Sequence, residues 1–163
     1  MRRALALAGA VAALTAPAAA AAQEYLVSGA VQGASGVESA GRGVQRARTR
    51  LRLGAELRVD EMPNDGLAFG ALVEFEPRSA VGGDLRYVRL LGDHLAVNAG
   101  GIAYVAPRTL LGAAAGIEIR VRLSRAVWFC AGPEATLFAA GSDLPDGTVL
   151  WQALFSGGFR VDL

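Results

Sequence analysis

The chain has 163 residues, 53% of them hydrophobic, and a formal net charge of +1. This size fits one domain, and the near-neutral charge gives no indication of a nucleic-acid partner. With a single cysteine and a single histidine, the sequence excludes both an internal disulfide and a zinc site with four protein ligands. Since it also contains no recognisable catalytic constellation or cofactor motif, we expect no cofactor and no enzyme activity.

The first 22 residues have the organisation of a secretory signal peptide. Residues 1–3 form a short positive start, residues 4–14 are apolar, and residues 18–22 are small. The apolar run is much shorter than the ~20 residues of a membrane-spanning helix. We therefore expect cleavage after Ala22, export from the cytoplasm, and a mature domain that covers residues 23–163.

From Tyr25 onward, stretches of alternating polarity are separated by turn-forming residues, a pattern typical of strands. In the clearest stretch, residues 45–59, most even positions are arginine or glutamate and most odd positions are apolar. Because successive side chains of a strand point to opposite faces, we predict a long strand with one charged and one apolar face. The other predicted strands are Tyr25–Ala34, Leu67–Glu76, Leu85–Leu91, Leu95–Val105, Leu111–Leu123, Val127–Phe138 and Val149–Leu163, which makes eight.

Short and longer connections are predicted to alternate between these strands. The predicted tight turns are Met62–Gly66, Gly92–His94 and Ser124–Ala126. The predicted longer loops are Glu38–Gly43, Pro77–Asp84, Ala106–Thr109 and Ala139–Thr148. With an even number of antiparallel strands the two kinds lie at opposite ends, as in outer-membrane barrels with short periplasmic turns and longer external loops.

The apolar face is predicted to contact lipid. The clearest strands exceed ten residues, as tilted membrane strands require, and their polar face mixes charges with the small residues that a narrow lumen needs. The chain ends on a strand with Phe155, Phe159, Val161 and Leu163 on its apolar face. If the apolar face instead packed inward, the chain would be a soluble, secreted ligand-binding barrel.

The C-terminal strand and the strand count resemble those of the small OmpA/OmpX-type outer-membrane barrels, although that family usually ends in Phe or Trp where this chain has Leu163. The resemblance implies an all-β fold, a closed antiparallel up-and-down barrel of eight strands, in the bacterial outer membrane. Its implied partners are outer-membrane lipid and, during biogenesis, the barrel-assembly machinery.

In such a barrel the polar face lines a lumen that is only wide enough to be filled by side chains. The charged residues predicted to share it are Arg46, Arg48, Arg50, Arg52, Glu56, Arg58, Glu74, Glu118, Arg120, Arg122, Glu134 and Arg160. Because isolated buried charges are costly, they must pair or retain water. We therefore predict a hydrated salt-bridge plug and a structural or surface-interaction role through the external loops, with small-solute transport as the alternative.

The remaining polar residues are assigned ordinary roles. His94 is predicted to be exposed in a turn, and Cys130, on the polar face, to be a small buried residue. Asp84, Asp143 and Asp146 are interpreted as turn residues. Two carboxylates at Asp143 and Asp146 fall short of the six to eight oxygen ligands that Ca²⁺ prefers, so no metal site is predicted.

Overall fold

The structure is a computed structural model that describes residues 25–40, 44–75, 79–142, 144 and 148–163. Its strands are β1 (Tyr25–Ala40), β2 (Val44–Val59), β3 (Met62–Glu74), β4 (Ala80–Leu90), β5 (Leu95–Ala106), β6 (Leu110–Arg122), β7 (Val127–Gly141) and β8 (Leu150–Asp162). The predicted signal peptide and the residues Glu76, Asp143 and Asp146 lie outside the described residues. None of the described residues forms a helix long and apolar enough to cross a membrane.

Each strand pairs with the next in antiparallel fashion, and β8 pairs with β1 from Ser28↔Asp162 to Ala40↔Leu150, which closes the barrel. Closure satisfies the backbone groups that an open sheet would leave unpaired at its edges. The strands contain between 11 and 16 residues, about twice the usual length in soluble proteins. The predicted eight-stranded antiparallel barrel is confirmed.

One parity holds through the regular part of all eight strands: even-numbered side chains point into the lumen and odd-numbered side chains point outward. It changes only at strand ends beyond the register shifts. Arg50 is only 3% exposed, whereas the outward Leu53 and Phe155 are 52% and 62% exposed. Large apolar residues cover the outer wall on all eight strands. The predicted faces of the regular strands are therefore correct, and the apolar face is the outer one.

Several strand ends differ from the prediction. The predicted loops Glu38–Gly43 and Pro77–Asp84 are wrong, because Glu38 belongs to β1 and β4 begins at Ala80. Gly82 is a strand residue: a Cβ there would lie 2.1 Å from the carbonyl oxygen of Ala103 on β5, so this glycine permits a close approach of two strands rather than a turn.

The connections at the two ends differ less in length than predicted. At the end that holds both chain termini, called the terminus end, the connections are residues 60–61, 91–94 and 123–126. At the opposite end, called the loop end, they are residues 41–43, 75–79, 107–109 and 142–149. The turn predicted at Met62–Gly66 is also wrong in position, since β3 begins at Met62 after a register shift between Arg58 and Val59.

The lumen contains apolar layers as well as charges. Near the loop end, Leu72, Ile102, Tyr104 and Phe138 form a fully buried cluster, and Leu144 from the β7–β8 connection packs against it. A smaller cluster lies toward the terminus end and consists of Ala68, Val88 and Ala96. The charged side chains occupy the space between and beside these two clusters.

The outer wall generates the first prediction. Val31→Arg places a charge on the outward face near the middle of β1 and should destabilise the barrel in lipid vesicles by about 2–4 kcal/mol. Leu163→Arg, the matched control at the terminus end, should cost only about 0–1 kcal/mol. Urea unfolding of both variants in vesicles measures the difference, and equal costs would contradict a lipid-facing outer wall.

Candidate functional site: the charge network of the lumen

The network starts from β2, whose arginines occupy even, inward-facing positions, and all of them except the exposed Arg46 enter the lumen. The side chains of Arg50 and Arg52 are buried, and those of Arg48 and Arg58 are nearly so. Their partners come from strands around the barrel, so the network ties together walls that are not neighbours in the sheet. Arginine suits this role because its planar fork binds several acceptors at once.

At the loop end, Arg50 is the central side chain. Its Nη2 atom donates to Gln152 Oε1 at 2.5 Å and to Glu74 Oε1 at 3.2 Å. Arg48 pairs with Glu38 at 2.5 Å, and Gln152 donates to the same Glu38 carboxylate at 3.0 Å. These contacts join β1, β2, β3 and β8.

The hydroxyl of Tyr104 on β5 donates to Glu74 Oε1 at 2.7 Å. Because the Tyr104 ring also packs at 5.7 Å from Phe138, this residue connects the charged and the apolar halves of the lumen at the loop end. The hydroxyl group of this buried tyrosine therefore has a hydrogen-bond partner.

In the middle of the barrel, Glu134 on β7 bridges two arginines from other strands. Its Oε1 atom lies 2.5 Å from Arg50 Nη1, and its Oε2 atom lies 2.6 Å from Arg86 Nη1. Asp84 on β4 similarly bridges Arg52 at 2.9 Å and Arg86 at 2.7 Å. Each carboxylate thus faces two guanidinium groups, which compensates its removal from water.

At the terminus end, Glu56 is the shared acceptor. Arg120 binds it in bidentate fashion at 2.9 and 3.2 Å, and Arg160 approaches it at 2.6 Å. Arg120 also donates to Glu118 at 2.6 Å. Gln32 connects this group to the middle of the barrel, since it donates to Glu118 at 2.6 Å and accepts from Arg52 at 3.5 Å.

The network therefore runs without interruption from the loop end to the terminus end. It leaves a cavity of only about 30 Å³, lined by residues that include Gln32, Arg86, Glu118 and Arg160, with room for about two water molecules. The Nη2 atom of Arg86 and the Nε atom of Arg160 have no hydrogen-bond partner among the described residues. Polar walls and unpaired donors make this cavity suitable for bound water.

The structure places ten of the twelve predicted lumen residues inside the barrel, and Arg46 and Arg122 lie outside the network. Arg46 is exposed near the loop end of β2. Arg122 is exposed at the terminus end, where it donates to the backbone carbonyls of Ser124 and Arg125 and lies over the Trp128 ring. The physical reason is position: both lie near strand ends, beyond the enclosed part of the lumen.

Sequence reasoning missed several network members, namely Gln32, Glu38, Asp84, Arg86, Tyr104 and Gln152. Asp84 was interpreted as a turn residue, and this is wrong because it is buried on β4 between two arginines. The available signal was parity, since every missed residue has an even number. Extending the alternation through the Gly82–Gly83–Asp84 segment would have placed Asp84 in the lumen.

The histidine and the cysteine occupy different environments. His94 is exposed in the β4–β5 connection, with Nδ1 3.1 Å from the carbonyl oxygen of Arg120. Cys130 is fully buried. Among the described residues there is no group of three or more His, Cys, Asp or Glu side chains arranged to hold a metal ion.

Comparisons with known proteins bear on the fold. No protein-family model and no curated protein matches the sequence. The crystal structure of Neisserial surface protein A is similar, with a TM-score of 0.54 and 14% identity over 85% of this chain and 97% of that one. The chain has the fold of the small outer-membrane barrels.

Two further solved structures are similar with lower TM-scores. The outer membrane protein AlkL matches with a TM-score of 0.49 and 11% identity, over 91% of this chain and 95% of that one. OprG from Pseudomonas aeruginosa matches with a TM-score of 0.48 and 12% identity, over 87% of this chain and 96% of that one.

The network generates the second prediction. Arg50→Met keeps most of the side-chain volume but leaves Glu74 and Glu134 short of one cation each, which should destabilise the barrel by about 3–5 kcal/mol. Arg46→Met removes the same charge from an exposed position and should change stability by less than about 0.5 kcal/mol. Urea unfolding in vesicles compares the two. Equal midpoints would show that the lumen pairs do not contribute as described.

The buried cysteine generates the third prediction. Because Cys130 is the only cysteine and points into the filled lumen, a maleimide reagent should label the folded barrel at least tenfold more slowly than the urea-unfolded chain. The Ser124→Cys, Cys130→Ser double variant is the control, since its thiol lies in an exposed turn and should react at similar rates in both states. Rapid labelling of folded wild-type protein would indicate an open lumen.

Proposed function

We propose that the chain is a structural barrel of the bacterial outer membrane whose lumen is closed by the charge network, so that it does not act as an open pore. The observation that carries this proposal is the series of ion pairs and hydrogen bonds across the lumen, from Arg48 and Glu38 at the loop end to Arg160 and Glu56 at the terminus end. Its two groups of ion pairs are joined by the side chain of Gln32. A water-filled pathway would require a gap in that series, and the interior cavity holds about 30 Å³.

Membrane residence is supported by the direction of the two faces. A soluble ligand-binding barrel would turn its apolar residues inward and its arginines outward. This barrel has the reverse arrangement, with Leu53, Ile119 and Phe155 about half exposed on the outside and Arg50 and Glu56 buried inside. In water, that outer wall would be a continuous apolar surface of the kind that drives aggregation.

We also propose that the protein contacts other molecules at the cell surface, mainly through one segment. The β7–β8 connection, residues 142–149, is the longest of the loop-end connections. Its Leu144 packs against the apolar cluster inside the barrel mouth. We expect external partners to contact this connection, since it is the longest one at the loop end.

Small-solute transport is the second candidate, and the apolar cluster favours it. Leu72, Ile102 and Phe138 would give an apolar solute an entrance at the loop end if Leu144 moved away. The charge network below that cluster opposes complete passage, because an apolar solute would have to separate desolvated ion pairs.

Bilayer recordings test the proposed function. Purified, refolded protein should insert into a planar bilayer without a steady conductance, since the lumen is filled. The triple variant Arg50→Ser, Arg86→Ser, Glu134→Ser removes three side chains that meet at the centre of the lumen and should conduct if it folds. Folding of each protein is checked by the gel-mobility shift between boiled and unboiled samples.

Two results would contradict the proposal. A large, steady conductance of the wild-type barrel would show that the network does not close the lumen. Recovery of the protein in the soluble fraction, with no mobility shift on boiling, would show that the outer wall does not contact lipid. Uptake of an apolar dye into vesicles that contain the wild-type barrel would favour transport instead.

A further inference from the structure

The terminus-end group of the charge network contains more cations than anions. Its shared acceptor, Glu56, has three arginines within 2.6 to 3.3 Å, namely Arg58, Arg120 and Arg160. The second carboxylate of the group belongs to Glu118, which binds Arg120 at 2.6 Å. Among the described residues, this end of the lumen therefore holds three guanidinium groups and two carboxylates, an excess of one positive charge.

Neighbouring charges do not offset this excess. Asp162 accepts a hydrogen bond from Trp128 at 2.8 Å, and the exposed Arg122 lies over the same ring at the end of the barrel. In the rest of the described network the two charges are equal in number, with Arg48, Arg50, Arg52 and Arg86 facing Glu38, Glu74, Asp84 and Glu134. Because arginine is not deprotonated in proteins, the excess charge requires water or an anion beside it.

Two buried arginines next to this excess have N–H groups to spare. Arg86 is 4% exposed, and its Nη2 atom has no hydrogen-bond partner among the described residues. The Nε atom of Arg160, which is equally buried, also lacks a partner within that part of the chain. Both side chains line the cavity of about 30 Å³ inside the lumen. Since an unsatisfied buried donor costs free energy, the cavity is suited to an acceptor.

The size and charge of the cavity restrict what that acceptor can be. A volume of about 30 Å³ admits a species close in size to water, which a halide ion is and a sulfate or phosphate ion is not. A halide ion also supplies the one negative charge that balances the excess. Each carboxylate on the cavity lining already faces at least two arginines, so none of them excludes an anion; they are Glu56, Glu118 and Glu134.

We propose that this cavity is a binding site for one monovalent halide ion, chloride under physiological conditions, held by the guanidinium groups of Arg86 and Arg160. Because Arg86 lies on β4 and Arg160 on β8, the ion connects the middle of the barrel to the terminus-end group, beside the connection that Gln32 makes. The site goes beyond the closed barrel proposed above. It follows from the charges of the lumen and does not depend on membrane residence.

The two asparagines of the chain supply a matched pair of variants. Asn98 lines the cavity and accepts a hydrogen bond from Arg86 Nη1 at 3.2 Å. Asn98→Asp keeps the shape of this side chain and adds one negative charge beside the arginines, so it should take over the role of the halide ion. Asn64→Asp makes the same change at an exposed position near the start of β3.

Urea unfolding in vesicles tests the proposal, with the barrel refolded either in sodium chloride or in sodium gluconate of equal ionic strength. Gluconate is too large for the cavity. A ligand that binds the folded state stabilises it by mass action, so chloride should raise the wild-type midpoint by on the order of 0.5–1 M urea and then saturate. Asn64→Asp should keep this shift, and Asn98→Asp should lose most of it.

Two results of that experiment would overturn the proposal. One is a wild-type midpoint that is the same in chloride and in gluconate. The other is an equal chloride shift in the two aspartate variants, because a general effect of the salt on vesicles or on the protein surface acts on both variants alike.

A second measurement uses the wild-type barrel and does not depend on the folding of a variant. The protein is refolded and crystallised in sodium bromide, and diffraction is recorded at the bromine absorption edge. We expect an anomalous peak inside the lumen within hydrogen-bond distance of Arg86 and Arg160. Water alone at this position, without an anomalous peak, would overturn the proposal. A barrel that conducts in bilayers but shows the peak would contradict the closed barrel and support the halide site.

Discussion

The rest of the structure depends on the requirement that backbone amides buried in hydrocarbon find partners within the protein. A closed ring of antiparallel strands meets this requirement, and β8 pairs with β1 over thirteen residues to complete it. Closure also fixes which side chains face inward, because a slip of one residue in any strand would exchange its two faces. The even–odd parity shared by all eight strands is the visible result, and it brings charges that are distant in sequence into one narrow space.

That space makes the charges interdependent. Arg50 on β2 lies 84 residues from Glu134 on β7, yet their side chains meet at 2.5 Å. Buried ion pairs contribute little net stability compared with an apolar core of equal volume, but removing one partner is costly. The network therefore contributes mainly to the specificity of the fold. Glu134 and Asp84 each bind two arginines from different strands, and these contacts fix how the walls of the barrel lie relative to one another.

The same parity explains what could be predicted from sequence. The strict alternation of residues 45–59 predicted β2 and its two faces correctly, and it predicted the inward arginines correctly except for Arg46. The start of β4 was predicted wrongly, because Gly82–Gly83–Asp84 has the composition of a turn, and this composition was given more weight than the alternation that continues through the segment. The partners across the lumen were also beyond reach, since they depend on strand tilt and stagger, which a single sequence does not display.

The alternation of the two faces determines which side chains are polar and which are apolar, but it does not determine the size of the outward residues. The glycines of the wall therefore fall into two groups. Gly82, Gly100 and Gly112 face the lumen, where a Cβ would meet a neighbouring backbone oxygen at 2.0–2.2 Å, so the fold itself requires them. Gly101 faces outward into open space, although a glycine inside a strand costs stability. Closure of the barrel therefore requires the lumen-facing glycines but not Gly101, where a Cβ meets no atom within 4 Å.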